Sequence, residues 1–129
     1  MLPLIDTHQH LWDLSRLELP WTGGIPQLNR SFLMSDYLQA LEGQKISKTV
    51  YMEVDAHPDH RQREVEIISE ICSHESNPMQ AAVFCAEPGG VDFEPFIDNN
   101  QNNPWIRGLR KVLHNPDTVS YTHSPSPRD

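Results

Sequence analysis

Ser47-Lys48-Thr49-Val50-Tyr51-Met52-Glu53-Val54 is the stretch whose reading decides the fold. Its β-branched and aromatic residues predict a strand, and Asp55-Ala56-His57-Pro58 turns the chain out of it. From Asp59 onward the apolar period changes to that of a helix. Val65, Ile68, Ile71 and Cys72 recur at helical spacing with Ile67 flanking, while Arg61, Arg63, Glu66 and Glu70 fall on the solvated face. A second strand follows, Gln80-Ala81-Ala82-Val83-Phe84-Cys85-Ala86, and Pro88-Gly89-Gly90 ends it. Strand, helix and strand in succession predict a right-handed crossover and parallel pairing.

The same unit extends in both directions. Upstream, residues 2–8 predict a first strand that ends in His8-Gln9-His10. Residues 12–33 then form a long irregular stretch carrying Pro20-Trp21, Gly23-Gly24 and Pro26, read as a binding loop or lid in which Trp12 and Trp21 pack or stack on a ligand. Ser35 is the expected N-cap of a short helix over residues 36–42, stopped by Gly43. Downstream, residues 92–97 predict a helix with Pro95 in its first turn, residues 99–104 a polar loop, and residues 105–112 a fourth strand.

This alternation defines an α/β chain with a parallel sheet, and two architectures fit it. A doubly wound open sheet lacks support because the first strand–helix turn carries no glycine-rich phosphate loop. The better fit is the first half of a (β/α)8 TIM barrel, about four βα units, truncated. Residues 1–118 are read as the N-terminal part of that domain. The Ser/Pro-rich residues 119–129 break the pattern and are read as a non-native or disordered tail.

Composition narrows the function. The 129 residues suffice for one modest domain, and 37% apolar residues can support a core. Eighteen acidic against ten basic residues give a net charge of −8, which disfavours nucleic acid and anionic membranes as partners. No apolar run approaches the roughly 20 residues of a membrane span, and the N-terminus does not read as a secretion signal. Cys72 and Cys85 lack Cys-x-x-Cys spacing and read as buried free thiols of a reducing compartment, hence a cytoplasmic expectation.

Candidate chemistry gathers at the predicted carboxyl ends of the strands, where α/β proteins place their sites. His8 and His10 are two apart, so on a strand both imidazoles face one point, as a shared metal ion or a polarised carbonyl requires. Asp6 is expected on the same face, orienting a histidine from below. Glu53 is either a third ligand or a strand-end carboxylate, in water or paired with an arginine. Arg107 and Arg110, three apart, face opposite sides of a regular strand, and Arg110, nearer the carboxyl end, is favoured for a carboxylate or hydroxyl-rich substrate. His57, His60 and His74 are read as helix-end or polar-face histidines, and His114 as a solvated loop histidine.

Ile5-Asp6-Thr7-His8-Gln9-His10-Leu11-Trp12-Asp13 resembles the opening motif of the amidohydrolase-related (amidohydrolase family 2) TIM-barrel hydrolases. With the Pro20-Trp21 loop, the Glu53 strand and Ile106-Arg107-Gly108-Leu109-Arg110, the chain looks like their sugar-lactonase branch, similar to L-fuconolactonases, L-rhamnonolactonases and the pyrone-dicarboxylate lactonases. The likeness runs over about residues 2–115. It implies hydrolysis of a sugar-acid lactone, with His8 and His10 as catalytic and metal-binding residues and a divalent metal such as zinc as an optional cofactor. It also implies a small-molecule substrate met by Arg110, Glu53, Trp21 and Arg107. The remaining ligands and the general base would come from a second half. Two alternatives stand beside this reading: a non-oxidative decarboxylase of the same barrel family, and a catalytically inert incomplete fragment.

Overall fold

The computed structural model describes residues 2–113, and the readings of His114 and of residues 119–129 lie outside them. Four strands, β1 (Leu4–Gln9), β2 (Ile46–Met52), β3 (Met79–Cys85) and β4 (Ile106–Arg110), form one sheet in the order β1-β2-β3-β4. All three pairings are parallel. The helices are α1 (Met34–Ala40), α2 (Arg61–Ser73) and α3 (Phe93–Asn100), one in each connection. Sequential parallel strands joined by helices are the β/α barrel pattern expected from the sequence.

Register separates the two faces of the sheet. Gln9, Tyr51, Ala82 and Ile106 stand side by side across the four strands. Gln9, Tyr51 and Ala82 are each at most 1% exposed, so this row lies under the helices. Val65, Ile67, Ile68 and Cys72 of α2 pack onto it together with Met79 and Phe84. The neighbouring row, Met52, Val83 and Gly108, belongs to the opposite face, the one that would line a barrel, and is only partly buried.

The long stretch after β1 is built into the core. Trp12 and Phe32 form an antiparallel bridge, with backbone hydrogen bonds of 3.0 and 2.8 Å in the two directions. The Trp12 indole donates to the Arg30 carbonyl at 2.7 Å and meets the Phe32 ring edge-on. Leu17 and Leu19 are buried, and a 3-10 turn over Pro20–Gly24 follows. The loop is therefore a closed excursion whose apolar residues complete the outer layer.

Element boundaries differ from the sequence expectation where local hydrogen bonding decides them. Helix α1 begins at Met34, with Leu33 rather than Ser35 at the cap position. The Asp36 carboxylate accepts the Leu33 N–H at 2.8 Å, the returning half of a capping box, so the acid one turn in sets the start. Residues Pro58–His60 form a 3-10 turn before α2. Helix α3 continues through Asn100, into the expected polar loop. The Asn100 amide donates to Gln62 on α2 at 2.8 Å and to the Phe96 carbonyl, which keeps the last turn wound. Both cysteines are free and buried, and burial pushes each thiol up to about 11.

Candidate functional site

The end of β1 carries a register shift between Asp6 and Gln9. Three steps along β1 match two along β2 there, from Thr49 to Tyr51, so one extra residue is accommodated. This overturns the expected placement of Asp6 on the face of His8. Asp6 pairs with Thr49 in the helix-facing layer, and its carboxylate accepts the Tyr37 hydroxyl of α1 at 2.7 Å. It also accepts the His8 backbone N–H at 3.0 Å, so it shapes the bulge rather than orienting an imidazole.

Beyond the bulge, Gln9 is buried while His8 and His10 flank it on the other side, both exposed. Their rings meet edge to face with centroids 4.8 Å apart. The Nδ1 of His10 lies 2.9 Å from the Met52 carbonyl. A carbonyl only accepts, so Nδ1 carries the proton and Nε2 keeps its lone pair. Desolvation, with further lowering by His8 and Arg110, holds the His10 pKa below the usual imidazole value and favours this neutral form. A carbonyl that holds one ring nitrogen and so fixes the tautomer is what a metal-binding or basic histidine needs.

The second half of the site bridges the ends of β2 and β4. Glu53 is fully buried. Its Oε1 accepts Arg110 Nε at 2.8 Å, and its backbone carbonyl accepts an Arg110 terminal N–H at 2.9 Å. Its Oε2 accepts the Asp55 N–H at 2.7 Å. Of the two roles considered for Glu53, the structure brings it to the arginine, with each carboxylate oxygen engaged. Asp55 sits at φ 51°, a left-handed conformation that Asp tolerates better than most residues, and this turns the chain back over Glu53.

Arg110 is on the same face as Val83 and Gly108, because β4 also shifts register between Ile106 and Gly108. Arg107 falls at that shift and is exposed. Trp21 donates its indole N–H to the Val54 carbonyl at 2.7 Å and packs edge-on against Trp12, 5.6 Å between centroids. His57 accepts the Asp59 N–H, and His60 accepts the Glu18 N–H; both rings serve turns.

One residue of this region escaped the sequence reading. Glu64 is 1% exposed on α2, among the residues that face the sheet. Its Oε1 accepts the Tyr51 hydroxyl at 3.0 Å and the Val54 N–H at 3.3 Å. Burial is the main cause that pushes its carboxyl up to about 7. The available signal was its place one residue before Val65, within the apolar arc of the helix.

Among the described residues no group of three or more His, Cys, Asp or Glu side chains is placed to hold a metal ion. His8 and His10 suit a metal as two imidazole donors from one strand end, and further ligands would have to come from outside the described residues.

No family model matches the chain. It is similar to the uncharacterized protein y4mH of Sinorhizobium fredii, 24% identical in a 135-residue alignment that takes in 96% of this chain and 45% of that protein. Among solved structures it resembles an amidohydrolase 2 from Bifidobacterium longum subsp. infantis, with TM-score 0.57 and 28% identity over 67% of this chain and 34% of that one. It also resembles an amidohydrolase from Burkholderia multivorans determined with bound HEPES, with TM-score 0.67 and 20% identity over 92% of this chain and 40% of that one. The four parallel strands and their helices thus match part of the TIM barrel of these amidohydrolase structures. The chain spans less than half the length of each of these proteins.

Proposed function

We propose that this chain carries the first half of the active face of a hydrolase of the amidohydrolase type, and that its reaction is the opening of a sugar-acid lactone. The observation that carries the proposal is the pairing of His8 and His10 at the end of β1, with the His10 Nδ1 proton fixed on Met52 and Nε2 left free. The charges of Arg110 and Glu53 both act on the His10 ring, so the two halves of the site share one mouth.

Lactone hydrolysis breaks the acyl C–O bond; water supplies hydroxide to the acyl carbon and a proton to the departing ring oxygen. A divalent metal such as zinc, held by His8 and His10, would polarise the carbonyl or lower the pKa of a bound water. His10, its pKa lowered chiefly by burial, can also accept a hydrogen bond through Nε2. Arg110, its Nε anchored on Glu53, has other guanidinium donors left for a carboxylate or for sugar hydroxyls. Trp21 and Arg107 enter the proposal as flanking residues that bound the substrate from the loop after β1 and from β4.

The amidohydrolase likeness of the solved structures supports the class, and the lactone substrate follows from the resemblance of the opening motif and the arginine strand. The test is an assay of the gene product containing this segment against a set of aldonolactones and a set of aromatic and unsaturated carboxylic acids. Acid release from lactones, lost in His8→Ala/His10→Ala, is the expected result. Carbon dioxide release from the acids instead would replace lactonase by decarboxylase.

A second reading concerns the 129-residue polypeptide by itself. With only two metal donors brought together among the described residues, it binds ligands weakly and does not turn over unaided. Lactone opening by the purified polypeptide would contradict this.

A further inference from the structure

Glu64 lies on the face of α2 that otherwise buries Val65, Ile67, Ile68 and Cys72. An aliphatic side chain would fill such a position without the cost of burying a carboxyl group. What Glu64 supplies is a hydrogen-bond acceptor. Val54 is 4% exposed and stands where β2 has ended, so its N–H needs a partner, and Glu64 Oε1 provides it. The same oxygen takes the hydroxyl of Tyr51, which is fully buried and also lies 3.4 Å from the Leu11 carbonyl, one residue beyond His10.

The bend over residues 53–55 is therefore held on three sides. Glu64 binds the Val54 N–H, Trp21 binds the Val54 carbonyl, and Arg110 binds both the carboxylate and the carbonyl of Glu53. Asp55, at φ 51°, closes the bend back onto Glu53. We propose that Glu64 is the positioning residue of the candidate site: through Val54 and Tyr51 it fixes the bend that presents Glu53 to Arg110, and a negative charge on it, facing Glu53 and Asp55, loosens that hold.

The groups whose charge or proton bears on Glu64 are Tyr51 on β2 and Glu53 and Asp55 on the bend. Cys85 at the end of β3 lies within reach of its charge, and Arg110 approaches the same cluster from β4. Burial first, then the acidic neighbours Glu53 and Asp55, disfavour the carboxylate and outweigh the Tyr51 hydroxyl and Val54 N–H that favour it, so Glu64 is protonated below neutrality and changes state near pH 7. Once ionised it faces Glu53 and Asp55 as a third negative charge, which strains the bend and the Arg110 contact that depends on it.

This inference rests on the proposed function for its meaning, but its test reads the chain without substrate or metal. The Arg110 Nε–H, the Trp21 indole N–H and the Asp55 amide are followed by NMR between pH 5 and 9 in the wild type, Glu64→Gln and Glu64→Leu. In the wild type the three signals shift together with a midpoint near 7, while the Trp105 indole, remote from the bend, stays still. In Glu64→Gln, which keeps the acceptor and loses the charge, they hold their low-pH positions throughout. In Glu64→Leu the Val54 and Asp55 amides lose exchange protection at every pH; should that variant fail to fold, Glu64→Gln decides alone. Arg110 and Asp55 signals that do not move in the wild type, or that titrate equally in Glu64→Gln, overturn the proposal. Neither outcome bears on lactone hydrolysis, whose own assay stands or falls separately.

Discussion

At the residue scale, the Glu53–Arg110 pair shows how a buried charge is tolerated at the mouth of the sheet. Glu53 is inaccessible while the Arg110 side chain remains 33% exposed, so the arginine spans from the interior to the surface. Removing it leaves the carboxylate buried and unpaired. Arg110→Ala is expected to lower the unfolding free energy by about 3 kcal/mol in urea titration, whereas Glu53→Gln/Arg110→Ala recovers part of the loss. Glu64 sets a second expectation, in the dependence of stability on pH. Its folded-state pKa of about 7 lies above the ordinary carboxyl value of 4.5, so between the two the folded protein holds a proton that the unfolded chain has released. That contribution is complete below the unfolded value and is lost as pH rises through 7, up to about 3 kcal/mol. Glu64→Gln should remove this slope, so that the variant gains on the wild type between pH 5 and 8; parallel curves would contradict the assignment. The strand-end placement of His8, His10 and Arg110 was legible in the sequence because strand periodicity is a local property. Glu64 was not, since its role depends on the Val54 N–H and the Tyr51 hydroxyl, which meet it only after α2 has packed on β2.

At the element scale, the alternation of strands and helices was readable from β2, α2 and β3, whose periodicities are distinct. The register shifts were not. Asp6 and His8 share a face on a regular strand and are separated here by the bulge before Gln9, a feature set by pairing with β2 and invisible in spacing. The start of α1 was misplaced for a related reason, because Asp36 bonds back to the Leu33 N–H and so takes the capping function from Ser35. The bulge delivers Gln9 into the helix-facing layer, where Thr49 donates to its carboxamide oxygen at 2.7 Å in a fully buried contact. Thr49→Val strands that oxygen and is expected to cost about 2 kcal/mol, measured by thermal or chemical denaturation. Adding Gln9→Leu should cost less than the two single changes together, because it removes the orphaned group; strict additivity would show that the bond does not join the strands.

At the scale of the whole molecule, one face of the parallel sheet is sealed by α2, its neighbours and the loop after β1, and the other presents His8, His10, Arg110 and a row of small and apolar residues. The carboxyl ends of the four strands lie together because all pairings are parallel, and this alone converts residues far apart in sequence into a single mouth. The likeness to amidohydrolase barrels supports the proposal that this mouth is the site, with the two histidines at its center. The most direct measurement is zinc content by mass spectrometry after equilibration with the metal and desalting, for the wild type and for His8→Ala/His10→Ala. The expected result is retained zinc in the wild type and its loss in the double variant, with the fold intact by circular dichroism. Equal metal content in the two proteins would contradict the assignment of His8 and His10 as the ligand pair.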